Sequence, residues 1–254
     1  MVGAGMAAGV FGSVLGLGGG VLIVPLLTLG FGLPFREAVG VSLVCVIMTS
    51  SAAAGVYLER HVANLRLGMT LELFTAVGAF VGGSIAFLLD EHWLALLFAA
   101  LLAYVAIAMA RSSDGVEDAT SVMLSDDGEG LTAIHNLPVG VAGSLVAGVV
   151  SALLGIGGGT IKVPLMHLAM GVPLRVATAT SNLMIGITAT ASGVIYALHG
   201  GIDPYVAGPT AIGVFTGATI GSRLAPRLDL RYLRLLFVVV LMITAIQMLL
   251  QAVR

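Results

Sequence analysis

Charge is the scarcest property of this sequence. Acidic and basic side chains make up 9% of its 254 residues, against roughly 25% in an ordinary soluble domain. A net charge of −2 excludes the basic footprint that nucleic-acid binding requires. Cysteine occurs once, as Cys45, which excludes an internal disulfide and any cysteine-built metal centre. Lysine also occurs once, as Lys162. No GxxxxGK[ST] loop, HExxH pair or GxSxG elbow is present, so neither ATP drive nor a hydrolase or metalloenzyme site is expected. The chain is therefore read as a non-enzyme that needs no cofactor. What it has in abundance is apolar surface: 58% hydrophobic residues and a mean hydropathy of +1.09. A soluble fold needs polar residues to cover its exterior, so lipid must be the solvent for most of this one.

A membrane-spanning helix needs about 20 mostly apolar residues. Such runs fall near 2–31, 38–58, 68–89, 93–110, 137–170, 177–198, 205–222 and 232–252. The expected fold class is an all-α polytopic membrane protein of about eight segments, multi-pass in the cell (inner) membrane. The N-terminal run lacks a basic n-region and reads as the first segment, not a cleaved signal. Between the runs, residues 111–136 carry Asp114, Glu117, Asp118, Asp126, Asp127 and Glu129, too polar to bury a core and so expected to be a solvated linker.

The part after the linker repeats the part before it. Gly16-Leu-Gly-Gly-Gly20 matches Gly155-Ile-Gly-Gly-Gly159, an offset of 139 (155 − 16). At the same offset Pro25 falls on Pro164, Arg36 on Arg175, Ser42 on Ser181, Gly78 on Gly217 and Gly82 on Gly221. Register kept over about a hundred residues is the mark of tandem duplication. The expected organisation is a first repeat over 1–110, the linker, and a second repeat over 137–254, with four segments in each repeat and the first of each broken at its glycines. Paired halves of this kind are the usual plan of secondary transporters.

The glycine breaks are the strongest candidates for a site. Glycine weakens a helix by roughly 1 kcal/mol relative to alanine, and a helix restarting after the break turns free N–H groups and positive dipole towards the gap. Close helix packing is the competing reading. Lys162 stands three residues beyond Gly159, where the first repeat has Ile23. An ammonium near the bilayer centre costs roughly 2.5–3.5 kcal/mol and normally faces a partner or cavity; snorkelling to an interface is the alternative. No acid lies on its own half-helix, so an anionic substrate is the economical partner. The expected site is Gly18, Gly19, Gly20 and Ser42 from the first repeat with Gly157, Gly158, Gly159, Thr160, Lys162, Thr180, Ser181 and Asn182 from the second, the hydroxyl and amide groups completing the shell of an oxyanion. His167 could carry a coupled proton, although a hydrogen-bonded structural role is the stronger reading. Glu72 reads as interfacial, Asn64 and Asp203 as turn formers, and Gly78, Gly82, Gly217 and Gly221 as packing positions.

Gly16-Leu-Gly-Gly-Gly-Val-Leu-Ile-Val-Pro25, Gly155-Ile-Gly-Gly-Gly-Thr-Ile-Lys-Val-Pro164, Gly171-Val-Pro173 and Ala177-Thr-Ala-Thr-Ser-Asn182 resemble the TauE/SafE (TSUP, sulfite exporter) family over the whole chain apart from the linker. The resemblance implies two related halves carrying small sulfur-containing anions such as sulfite, thiosulfate or sulfoacetate. The expectation is a secondary transporter, an exporter working by alternating access, driven by protons or membrane potential. A passive small-anion channel, or a carrier of other small organic anions, is the alternative. The expected partners are the anionic substrate and the lipid bilayer, with no nucleic acid; homo-oligomerisation is left open.

Overall fold

The computed structural model describes residues 1–14, 19–59, 64–111, 136–224 and 230–253. They form ten α-helices and two π-helical turns: α1 (Val2–Val14), α2 (Gly20–Pro25) running into a π turn (Leu26–Gly30), α3 (Phe35–Glu59), α4 (Leu65–Ala86), α5 (Glu91–Arg111), α6 (Leu137–Leu154), α7 (Gly159–Pro164) running into a second π turn (Leu165–Ala169), α8 (Leu174–Leu198), α9 (Pro204–Leu224) and α10 (Leu230–Val253). The segment expected to be an acidic linker lies, between residues 112 and 135, outside the described residues, as does Gly18.

Glycine and proline shape the two broken runs. Helix α6 ends on Gly155 in the left-handed region (φ 70°), whose N–H closes on the Ser151 carbonyl, a common helix stop because glycine has no Cβ to clash there. Gly157 and Gly158 also have positive φ, and α7 restarts from Gly158, whose carbonyl accepts from the N–H groups of Ile161 and Lys162. Gly19 (φ 74°) starts α2 in the same way. Pro25 and Pro164 then end the α-helical hydrogen bonding, because proline has no N–H and crowds the carbonyl one turn back; the chain continues in the wider π register. Six α-helical and five π-helical residues make each of these pieces. At ~1.5 Å per residue each is about 16 Å long, half of a ~30 Å hydrocarbon core.

Four helices among the described residues are long and apolar enough to cross a membrane, at Phe35–Ala52, Leu65–Ala86, Leu137–Leu154 and Val176–Leu198. Val2–Ser13, Gly20–Gly30, Glu91–Ile107 and Val238–Leu250 are apolar but shorter. The exterior is rich in large apolar side chains, with Leu88, Leu168 and Tyr205 at least 80% exposed, as expected of a surface in contact with lipid.

The main helix contacts pair α1 with α9, α4 with α6, α5 with α10 and α3 with α8. Glycine makes the closest of them. A Cβ on Gly78 would strike the Leu145 carbonyl oxygen, and one on Gly82 that of Val149, where α4 meets α6; Gly217 stands likewise against Met6, and Gly148 against Thr75. Gly78, Gly82 and Gly217 act in packing, as expected. Asn64 and Asp203 are helix-start residues: the Asn64 side chain accepts from the Leu67 N–H, and that of Asp203 from the Tyr205 N–H.

Candidate functional site

Lys162 is not alone. From the first turns of α7 its Nζ donates to Glu72 Oε2 on α4 at 2.8 Å and to Thr188 Oγ1 on α8 at 2.6 Å, and the Thr188 hydroxyl donates in turn to Glu72 Oε1 at 2.6 Å. Lys162 is 1% exposed, Glu72 3% and Thr188 fully buried. The expectation that the lysine lacks a counter-anion within the chain is corrected: Glu72 supplies it, ninety residues away in sequence (162 − 72).

The placement of Glu72 corrects a second expectation. It is only the eighth residue of α4, which suggested an interfacial position, but α4 begins deep in the fold. The Asn64 backbone N–H donates to Thr180 Oγ1, six residues into α8, about 9 Å from that helix's start. Gly68 lies against Thr180 and Met184, and Gly83 against Ile195, so the two helices run side by side in the same direction. Glu72 thereby falls level with Thr188, just past the midpoint of α8.

Several buried hydroxyls of the neighbouring helices have nothing to bond. Ser151 Oγ on α6, Thr160 Oγ1 on α7 and Ser181 Oγ on α8 are buried without a hydrogen-bond partner, as is Ser144 Oγ on α6. Three of these gather at the glycine break. A Cβ on Gly158 would lie 3.3 Å from both Lys162 Cε and Ser151 Cβ, and one on Gly159 would lie 3.5 Å from Ser181 Oγ. Thr160 belongs to the same first turn of α7 and is 5% exposed. Buried hydroxyls are normally satisfied, so a cluster of free ones beside a buried charge pair is an unfilled set of hydrogen-bonding groups.

Other expected site residues are engaged elsewhere. Ser42 donates its hydroxyl to the Gly155 carbonyl at 2.7 Å, tying α3 to the second glycine break. The Asn182 amide donates to the Thr178 carbonyl, and Thr180 Oγ1 takes the Asn64 N–H. A Cβ on Gly20 would lie 2.5 Å from the Gly155 carbonyl oxygen, so the two breaks touch; Ile185 fills the space beside Gly157 and Gly159. Gly19 faces Thr49 Oγ1. His167 is exposed, its Nδ1 2.9 Å from the Val172 carbonyl oxygen, and is not brought to the pair.

Glu72, Thr188 and Ser151 are the residues that sequence reasoning did not place in the site. One signal was available: Glu72 is the lone charge in its apolar run, and at the repeat offset it falls on Ala211 just as Lys162 falls on Ile23. Two unmatched, opposite intramembrane charges are natural partners. A cavity of about 580 Å³ on the other side of α7 is lined by apolar residues such as Leu97, Leu101, Val150 and Ile161. A second, of about 440 Å³, lies between α1, α2 and α10. Neither is lined by the polar cluster, which is sealed within the helices.

Apolar helices enclosing a buried ion pair and free hydroxyls define an integral membrane protein built around a polar interior. A family model described as Sulfite exporter TauE/SafE matches residues 1–248. "Probable membrane transporter protein YunE" of Bacillus subtilis is 25% identical over 98% of this chain and 96% of its own length. A "Probable membrane transporter protein" of Xylella fastidiosa is 30% identical over 89% of this chain and 84% of its own. MJ0441 of Methanocaldococcus jannaschii, named in the same terms, is 26% identical over 97% of this chain and 93% of its own. No solved structure matches. The chain belongs to the TauE/SafE family of membrane transporters.

Proposed function

We propose that this chain is an alternating-access secondary carrier, an exporter, of small sulfur-containing anions such as sulfite, thiosulfate or a small sulfonate, in the cell membrane. The observation that carries the reading is the cluster at the second glycine break: the sole lysine, buried and beside unbonded Ser151, Thr160 and Ser181 hydroxyls. A cation with several neutral donors suits a compact oxyanion, because an oxyanion accepts many short hydrogen bonds around one or two charges. The description of the matching family as sulfite exporters supports sulfur as the central atom. In this reading eight segments form two related halves. That is supported by contacts that recur at the repeat offset, Gly78 against Leu145 and Gly217 against Met6. The cluster is closed to both sides, the occluded form of a carrier that opens alternately by moving one set of helices against the other.

The test is a thermal-shift panel on the purified protein with sulfite, thiosulfate, sulfoacetate, taurine, sulfate and simple carboxylates. Sulfur oxyanions or sulfonates are expected to raise the unfolding temperature, and Lys162→Ala to abolish the rise. Equal stabilisation of the wild type and Lys162→Ala would remove the site assignment.

A further inference from the structure

We propose that Glu72 holds the place of the transported anion beside Lys162 and Thr188, and yields it by taking up a proton, so that anion and proton move together. The inference rests on the carrier reading above and specifies its coupling. Its basis is geometric: the Glu72 carboxylate accepts from Lys162 Nζ and from the Thr188 hydroxyl, one bond to each oxygen. A carboxylate so held has the charge and acceptor pattern of a small bound oxyanion, and the free hydroxyls of Ser151, Thr160 and Ser181 lie within the same cluster.

Charge balance supplies the proton. With Glu72 ionised the pair is neutral overall. A monoanion entering beside it would leave a net negative charge sealed in a low-dielectric interior, which is strongly unfavourable. If Glu72 takes a proton from the aqueous phase to which the site is open, its carboxylate becomes a neutral acid, Lys162 pairs with the incoming anion, and the cluster stays neutral. On release the proton leaves and Glu72 returns to Lys162. No other described ionisable side chain is placed to take this role. On α4, Arg66 is exposed; α6 has no ionisable residue; His167, after α7, is exposed on the Val172 carbonyl. On α8, Arg175 lies in the first turn, about 20 Å of helix from Thr188, and Tyr196, about 12 Å beyond Thr188, donates its hydroxyl to the Ala152 carbonyl. Helix α3, packed on α8, has Arg36 and Glu37 in its first turn, Glu59 in its last, and Cys45 in the apolar core. At the repeat offset the pair becomes Ile23 and Ala211, both buried, so the exchange is not duplicated at the repeat-related position.

The test uses the full chain in detergent with methanesulfonate and thiosulfate, which keep their own charge across the titration. Binding is followed by calorimetry in two buffers of different ionisation enthalpy. The wild type is expected to take up about one proton per methanesulfonate, the monoanion of the two, with its Kd rising about tenfold per pH unit on the alkaline side, since binding that consumes a proton weakens as protons become scarce. Glu72→Gln is expected to bind with no proton uptake and a flat pH profile. Wild-type binding without proton uptake, or uptake that survives in Glu72→Gln, overturns the coupling and leaves the carrier reading intact. No binding of either anion overturns both. The wild-type proton count decides the matter even where Glu72→Gln does not fold.

Discussion

Lys162 and Glu72 are each unfavourable in a membrane interior and acceptable together. Removing one member of a buried ion pair typically costs about 3–5 kcal/mol, because the other is left uncompensated, while replacing both with apolar residues of similar size is often neutral. Lys162→Met and Glu72→Leu are therefore each expected to lower stability by about 3–5 kcal/mol, and the double variant to recover most of the loss. Unfolding in detergent, followed as a double-mutant cycle, measures this; simply additive losses would mean that the pair is not a unit. The lysine was legible in the sequence as the residue to explain. Its partner was not, because an acid ninety residues away announces no contact, and because counting along α4 places Glu72 near an end. The Asn64–Thr180 hydrogen bond, which seats the start of α4 deep against α8, and the parallel run of the two helices from Gly68 to Gly83 bring it to the middle. Ser42 illustrates the converse: its type was read for its donor, and the fold has already spent that donor on the Gly155 carbonyl.

At the scale of elements, glycine has two uses that sequence spacing separates only in part. In α9, Gly217 lies against the Met6 carbonyl of α1, whereas in α8 a Cβ on Gly193 would meet nothing nearer than Ile47 Cδ1 at 4.0 Å. Gly193→Ala is expected to be neutral or to stabilise by up to about 1 kcal/mol through helix propensity. Gly217→Ala has to push α1 and α9 apart and is expected to destabilise by about 1–3 kcal/mol. Thermal unfolding of the two variants side by side checks this, and equal effects would contradict the packing role. The breaks at Gly19 and Gly158 were readable because repeated glycines followed by proline forbid a continuous helix. The π turns after Pro25 and Pro164 were not, since proline announces an interruption without saying which register resumes. Nor did spacing reveal that Ile185 closes the gap at Gly157 and Gly159, so that hydroxyls beside the break, more than its glycines, are left to meet a ligand.

For the whole molecule, the helix pairings α1 with α9, α4 with α6 and α3 with α8 join the part before residue 111 to the part after 136. Recurrent contacts such as Gly148 on Thr75 and Gly9 on Val214 stand at the repeat offset. Helical class and apolar exterior could be read from composition alone; the interleaving of the two parts could not, because a repeat states that two units are alike and not how they meet. The polar cluster departs from that likeness, with Lys162, Glu72, Ser151 and Thr160 answered by Ile23, Ala211, Gly12 and Val21. In our account one half supplies the lysine and the other the carboxylate, and relative movement of the halves opens their shared site. The most direct measurement is counterflow in proteoliposomes containing the purified chain, loaded with unlabelled thiosulfate and presented with labelled thiosulfate outside. A carrier is expected to accumulate label transiently above equilibrium, to saturate with concentration, and to lose the effect in Lys162→Ala. Label that only equilibrates without saturating, or a wild type no different from empty vesicles, would contradict the account.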